Sequence, residues 1–200
     1  LLQYATARIG VIMVNLNPAA RTHELVYVLN QSGITTVFAA LQFKTSNYKQ
    51  MLRKSRVKAP TLAREIYWDE TWERFLADGD SVSDETLREW EDAVQFDDPV
   101  NIQYTSGTTG NPKGVTLSHH NILNNGFFIG ERMHYTSADR VCLPVPFFHC
   151  FGMVLGNMAC TTHGATIVIP NDSFDPRVTL EVVERERCTS LYGVPTMFIV

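Results

Sequence analysis

The sequence predicts an α/β protein with a mostly parallel sheet flanked by helices. Short β-branched or apolar runs alternate with stretches whose apolar residues recur at three- and four-residue spacing. Glycines, prolines and side-chain N-caps punctuate the junctions between them. The longest apolar run, residues 141–145, is strand-sized, far short of the roughly 18 residues that a membrane helix needs. The 200 residues are 44% hydrophobic and 19% charged, which are globular values and set disorder aside. A chain this long buries roughly 70% of its unfolded surface, so it needs neither disulfide nor metal to fold. Its net charge of −4 argues against nucleic acid as a partner.

Taken in order, residues 1–9 read as a helix ended by Gly10, which enters the left-handed region without a Cβ penalty. Residues 11–14 are strand-like, and Asn15-Leu16-Asn17-Pro18 turns the chain. Leu25, Val28 and Leu29 mark a helix stopped by Ser32-Gly33. Residues 34–38 are β-branched and strand-like, and a basic helix covers 48–53. Residues 64–98 hold most of the acidic side chains. There, one amphipathic segment carries Trp68, Trp72, Phe75 and Leu76, stopped by Gly79. Another starts at the N-cap Ser83 and presents Leu87, Trp90 and Val94. The tryptophans are expected as core anchors and the acidic surplus as a solvated face.

Residues 101–105 and 115–117 read as strands. Ser118 caps a helix with Ile122, Leu123, Phe127 and Ile129 on its apolar side. A strand over 140–145, a helix over 151–162 ended by Gly164, and a strand over 165–169 follow. Asp175-Pro176, an N-cap followed by proline at the first helical position, opens a helix with Leu180 and Val183 inward and Glu181 paired with Arg185. Residues 190–192 form the next strand. Two subdomains are expected, over 1–98 and 99–200. Cys142, Cys150, Cys160 and Cys188 form no CxxC pair, which suggests free thiols in a reducing compartment such as the cytoplasm. The start, Leu1-Leu2-Gln3-Tyr4, reads as a cut helix rather than a targeting peptide. The six histidines show no zinc-site spacing.

Thr105-Ser106-Gly107-Thr108-Thr109-Gly110-Asn111-Pro112-Lys113-Gly114 is the most informative segment. Phosphate binding needs backbone N–H groups turned toward the anion, hydroxyl donors and a nearby cation. Three glycines, four hydroxyls and Lys113 meet all three needs. A Walker A loop is excluded, because Pro112 precedes the lysine, Gly114 follows it, and the chain continues as a strand rather than a helix.

The run Ile102-Gln103-Tyr104 through this loop to Val115, with Leu117-Ser118-His119, resembles the adenylate-forming superfamily, in particular its fatty-acyl-CoA synthetase branch. Asn15-Leu16-Asn17-Pro18 with Glu24-Leu25, Pro146-Phe147-Phe148-His149 with Gly152, and Tyr192-Gly193-Val194-Pro195-Thr196 support it, in family order. The resemblance implies part of the large N-terminal domain of an acyl-CoA-synthetase-like fold. It implies a two-step ligase in which ATP and a carboxylic acid, here a fatty acid, give an acyl-adenylate, which the thiol of coenzyme A then attacks. It assigns the triphosphate, with its Mg²⁺, to Thr105, Ser106, Gly107, Thr108, Thr109, Gly110 and Lys113. It places Phe148, His149, Gly193, Val194 and Pro195 at the acyl pocket, with Lys113 and His149 as the catalytic pair.

Phe147 stands where the family commonly has Leu, a departure that narrows the pocket. The family's later Tyr-Gly-x-Thr-Glu and Thr-Gly-Asp segments, its hinge and its C-terminal domain do not occur here. The chain therefore reads as an internal fragment whose exposed edges favour association between copies. Aryl-CoA ligases, luciferase-like enzymes, peptide-synthetase adenylation domains and a non-catalytic interaction module on the same fold are the alternatives.

Overall fold

The computed structural model describes residues 1–105 and 111–199. It divides into two compact units, Leu1–Val94 with Tyr104–Val115 and Gln95–Gln103 with Thr116–Val200. The first unit begins with α1 (Leu2–Arg8), β1 (Met13–Asn15), α2 (Thr22–Gln31), β2 (Thr36–Ala39), β3 (Gln42–Phe43) and β4 (Ser46–Asn47). It continues with α3 (Tyr48–Arg56), β5 (Arg64–Tyr67), α4 (Trp72–Gly79) and α5 (Asp84–Ala93). Strands β2 and β5 pair in parallel from Thr36 opposite Arg64 to Ala39 opposite Tyr67, with the β3–β4 hairpin and α3 in the crossover. Leu25, Leu29, Val37, Leu52, Ala59, Leu62 and Tyr67 form the core beneath them. Gly10 and Gly33 take positive φ, as expected of the residues that end α1 and α2.

Strand β5 was not expected. Its four residues, Arg64-Glu65-Ile66-Tyr67, run from charged to apolar without strand-like alternation beside an acidic stretch, and only pairing with β2 distinguishes them from a helix start. Trp68 consequently lies just beyond a strand, stacked on Phe38 at 5.9 Å and 42% exposed. Trp90 is exposed as well, so the tryptophans are not uniformly core anchors.

Strands β6 (Pro99–Thr105) and β7 (Lys113–Ser118) bracket the glycine-rich loop and lie beside β1 in the order β1-β6-β7. The second unit continues with α6 (His119–Met133), β8 (Arg140–Cys142), a π-helix (Phe151–Met158), α7 (Ala159–His163) and β9 (Thr166–Val168). It then has α8 (Pro176–Arg185), β10 (Ser190–Leu191) and a 3₁₀ turn (Pro195–Phe198). Strands β10, β8 and β9 form a parallel sheet in that order. Tyr135, Val141, Leu143, Val145, Ala159, Cys160, Ala165 and Tyr192 pack its core.

Five local expectations for this unit are corrected. The strand expected over 140–145 stops at Cys142, because Pro144 and Pro146 cannot donate to a ladder. The first eight residues of the helix expected over 151–162 are π rather than α, in a segment whose two glycines weaken the α preference. Helix α6 buries Ile122, Gly126 and Gly130, leaving Leu123 and Phe127 exposed. A Cβ on Gly126 would stand 2.5 Å from that of Met158, so the glycines permit a close helix approach. Helix α8 buries Thr179 and Val182 and leaves Leu180 62% exposed. The Thr179 hydroxyl donates to the Asp175 carbonyl at 2.7 Å, which removes the cost of burying it. Glu181 pairs with Arg177 instead of Arg185, which reaches toward Glu186.

Candidate active site

The loop residues Ser106, Gly107, Thr108, Thr109 and Gly110 lie outside the described residues. Their neighbours Thr105 and Lys113 are exposed, the last residue of β6 and the first of β7. Tyr104, next to Thr105, fixes this end of β6. Its hydroxyl lies 2.6 Å from that of Ser32 and 2.8 Å from the Gln31 carboxamide oxygen, both at the end of α2. The loop therefore springs from an anchored strand.

In the second unit the sheet order β10-β8-β9 has a direct consequence for the acyl-pocket segments. The chain leaves β8 for β9 on one side, then crosses back to place β10 on the other. This is a topological switch point, where the crevice outside the carboxyl ends of neighbouring parallel strands accepts ligands. Pro146-Phe147-Phe148-His149 follows β8, and Gly193-Val194-Pro195 follows β10. The fold thus carries both segments from the carboxyl ends of adjacent strands, although 44 residues or more separate them in sequence.

Glycine lets the first segment pack. A Cβ on Gly152 would stand 2.5 Å from the Pro146 carbonyl oxygen, so only glycine lets the π-helix lie against that backbone. His149 is exposed at its start, and its Nδ1 accepts the Phe151 backbone N–H at 3.1 Å. A neutral ring held this way carries its proton on Nε2, which remains available as a donor. Phe148 is half-buried. The Tyr192 ring lies 5.6 Å from that of Phe151, and its hydroxyl donates to the Leu155 carbonyl at 2.9 Å. Burial and the nearby Tyr135 hydroxyl push the Tyr192 phenol well above its ordinary pKa, so it is a fixed, neutral wall. Val194 and Pro195 are exposed, and the Phe198 ring occupies the space a Cβ on Gly193 would need.

Burial raises the Cys142 and Cys160 thiols to about 11, which leaves them unsuited to nucleophilic work; all four cysteines are free. Among the described residues no group of three or more His, Cys, Asp or Glu could hold a metal ion, and no helix is long and apolar enough to cross a membrane.

The AMP-binding enzyme family matches the chain over residues 1–200. The chain belongs to this family. The AMP-binding enzymes it is similar to include the mitochondrial medium-chain acyl-CoA ligase ACSF2 of Homo sapiens, 39% identical over 223 residues. That match covers 100% of this chain and 36% of the ligase, so the chain spans little more than a third of that relative. Among solved structures, the N-terminal domain of FACL13 from Mycobacterium tuberculosis superimposes with a TM-score of 0.78 at 23% identity, over 99% of this chain and 47% of that one. ATP-bound MatB from Rhodopseudomonas palustris gives 0.74 at 24% identity, over 99% and 37%. These likenesses show the fold, an α/β arrangement of the kind expected.

Two features of this chain were not read from its sequence. Tyr104 was quoted only as part of a motif, yet its hydroxyl ties β6 to α2. The π-helix carries no periodicity that separates it from an α-helix over eight residues, so no sequence signal could have found it.

Proposed function

We propose that the complete protein is an AMP-forming acid–CoA ligase acting on an aliphatic carboxylic acid. The observation that carries this reading is the arrival of both acyl-pocket segments at the switch point between β8 and β10, in a chain of the AMP-binding enzyme family. In this reading the acid's carboxylate attacks the α-phosphorus of ATP and pyrophosphate leaves. Lys113, the hydroxyls of Thr105, Ser106, Thr108 and Thr109, and the backbone at Gly107 and Gly110 take up charge on the departing phosphates. Mg²⁺ enters with the triphosphate and neutralises part of its charge. His149 offers its Nε2 proton at the carboxylate end, while Phe148, Gly193, Val194 and Pro195 line the acyl chain. The thiol of coenzyme A then displaces AMP. The human relative is named a medium-chain ligase, which supports an aliphatic tail of intermediate length.

The test is acid-dependent ATP–pyrophosphate exchange by the complete protein, run with medium- and long-chain fatty acids, aromatic acids and amino acids. Exchange that responds best to a medium-chain fatty acid is expected. Preference for an amino acid or an aromatic acid would sink the aliphatic reading, and no exchange with any acid would favour the non-catalytic module.

A further inference from the structure

A cavity of about 610 Å³ lies in the first unit, lined by Arg21, Thr22, His23, Val26, Lys54 and Lys58. Its lining holds three permanent cations and a histidine, and no carboxylate. Two other cations of α3 are matched, Lys49 by Glu70 and Arg56 by Glu65, whereas Arg21, Lys54 and Lys58 have no ion pair among the described residues. The nearest carboxylate in sequence, Glu24, accepts the Arg21 backbone N–H at 2.7 Å and so caps α2. Three unmatched like charges around one concavity repel one another, and they do so in a chain whose net charge is −4. An anion filling the cavity relieves that repulsion.

Val57 distinguishes which kind of anion. It lies between Lys54 and Lys58 in sequence, at the end of α3, and is 87% exposed. A small soluble anion would leave this side chain in water. A lipid interface accepts both parts, the phosphates meeting the cations while the aliphatic group enters the headgroup boundary. We propose that this face of α2 and α3 binds the phosphate headgroups of an anionic lipid surface. The inference stands apart from the ligase reading, since none of its residues belongs to the phosphate loop or the acyl-pocket segments.

The experiment is sedimentation of the complete protein with phosphatidylcholine vesicles, with and without 30% phosphatidylglycerol, at low and high salt. Binding to the anionic vesicles alone, weakened by salt, is expected. Each cation near such a surface is worth about fivefold in partitioning, so Lys54→Gln with Lys58→Gln should cut binding on the order of 25-fold. Val57→Ser should weaken it less, and Lys113→Ala should leave it unchanged. The paired Gln variant should retain its melting temperature and any acid-dependent exchange activity, which separates loss of the surface from loss of the fold or of the ligase. Equal binding to neutral vesicles, or undiminished binding by the paired variant, would overturn the proposal. Binding of inorganic phosphate without vesicle binding would overturn it too, leaving a site for a soluble anion.

Discussion

At the scale of single residues, Gly152 is the most constrained position near the acyl-pocket segments. Any side chain there must push the Pro146 carbonyl away, at a cost of about 1–3 kcal/mol for overpacking. Gly152→Ala is expected to lower the melting temperature measurably and to raise KM for the acid more than KM for ATP, because the displaced backbone leads into Phe148 and His149. Equal KM changes for both substrates would show that the strain is not local. Asp139 offers a second test. Its carboxylate accepts the hydroxyl of Thr189 at 2.8 Å, and the backbone N–H and hydroxyl of Thr136 at 2.8 and 3.0 Å. The Thr189 bond, then the Thr136 pair, hold it below the usual carboxylate range. A depressed folded pKa stabilises above the unfolded value and is lost as pH falls through the folded one. Melting temperature should therefore fall on acidification below about pH 4, and Asp139→Asn should flatten part of that slope.

Helices show how sequence and packing share the decisions. Asp175 accepts the Val178 N–H at 2.9 Å, an N-cap with Pro176 behind it, and both were legible because capping is local chemistry. Which face of α8 turns inward was not legible. Leu180 is more apolar than Thr179, but the Thr179 hydroxyl is satisfied within its own helix and the sheet's geometry sets the phase. Asp175→Ala should cost about 1 kcal/mol in chemical denaturation. Leu180→Ala should change stability by no more than about 0.5 kcal/mol. A larger loss at Leu180 than at Asp175 would restore the face that periodicity suggested. Helix α6 misleads in the same way, since its buried stripe runs through Gly126 and Gly130, which hydrophobicity does not mark. β5 was invisible because a four-residue strand gains its identity from a partner remote in sequence, and the β3–β4 hairpin because two residues per strand are too few to show a period.

For the whole molecule, the glycine- and hydroxyl-rich run at 105–114 and the order of the supporting motifs were enough to read the family. The meeting of two remote segments at neighbouring strand ends needed the topology. In the complete protein, Lys113→Ala should slow acid-dependent pyrophosphate exchange by roughly 10²-fold or less, since backbone donors and Mg²⁺ remain. Lys113 is exposed at the first residue of β7, so the melting temperature should not change. A large drop in melting temperature would mark it as a structural lysine. Residues 1–200 alone should show no exchange above background, because groups that act as a unit lose turnover together when some are missing.

The eight π-helical residues before α7 make chain length at this point a guarded quantity. An α-helix advances about 100° per residue, so removing one residue from 151–158 and letting the segment close as α would turn everything ahead of it by about that angle. Gly152 would leave the Pro146 carbonyl, and His149 would swing away from the end of β8. The segment should accept exchanges of one apolar side chain for another while rejecting single deletions. Natural length variation in this half of the protein should gather instead where the chain is exposed and irregular, as at Asn171 and Asp172.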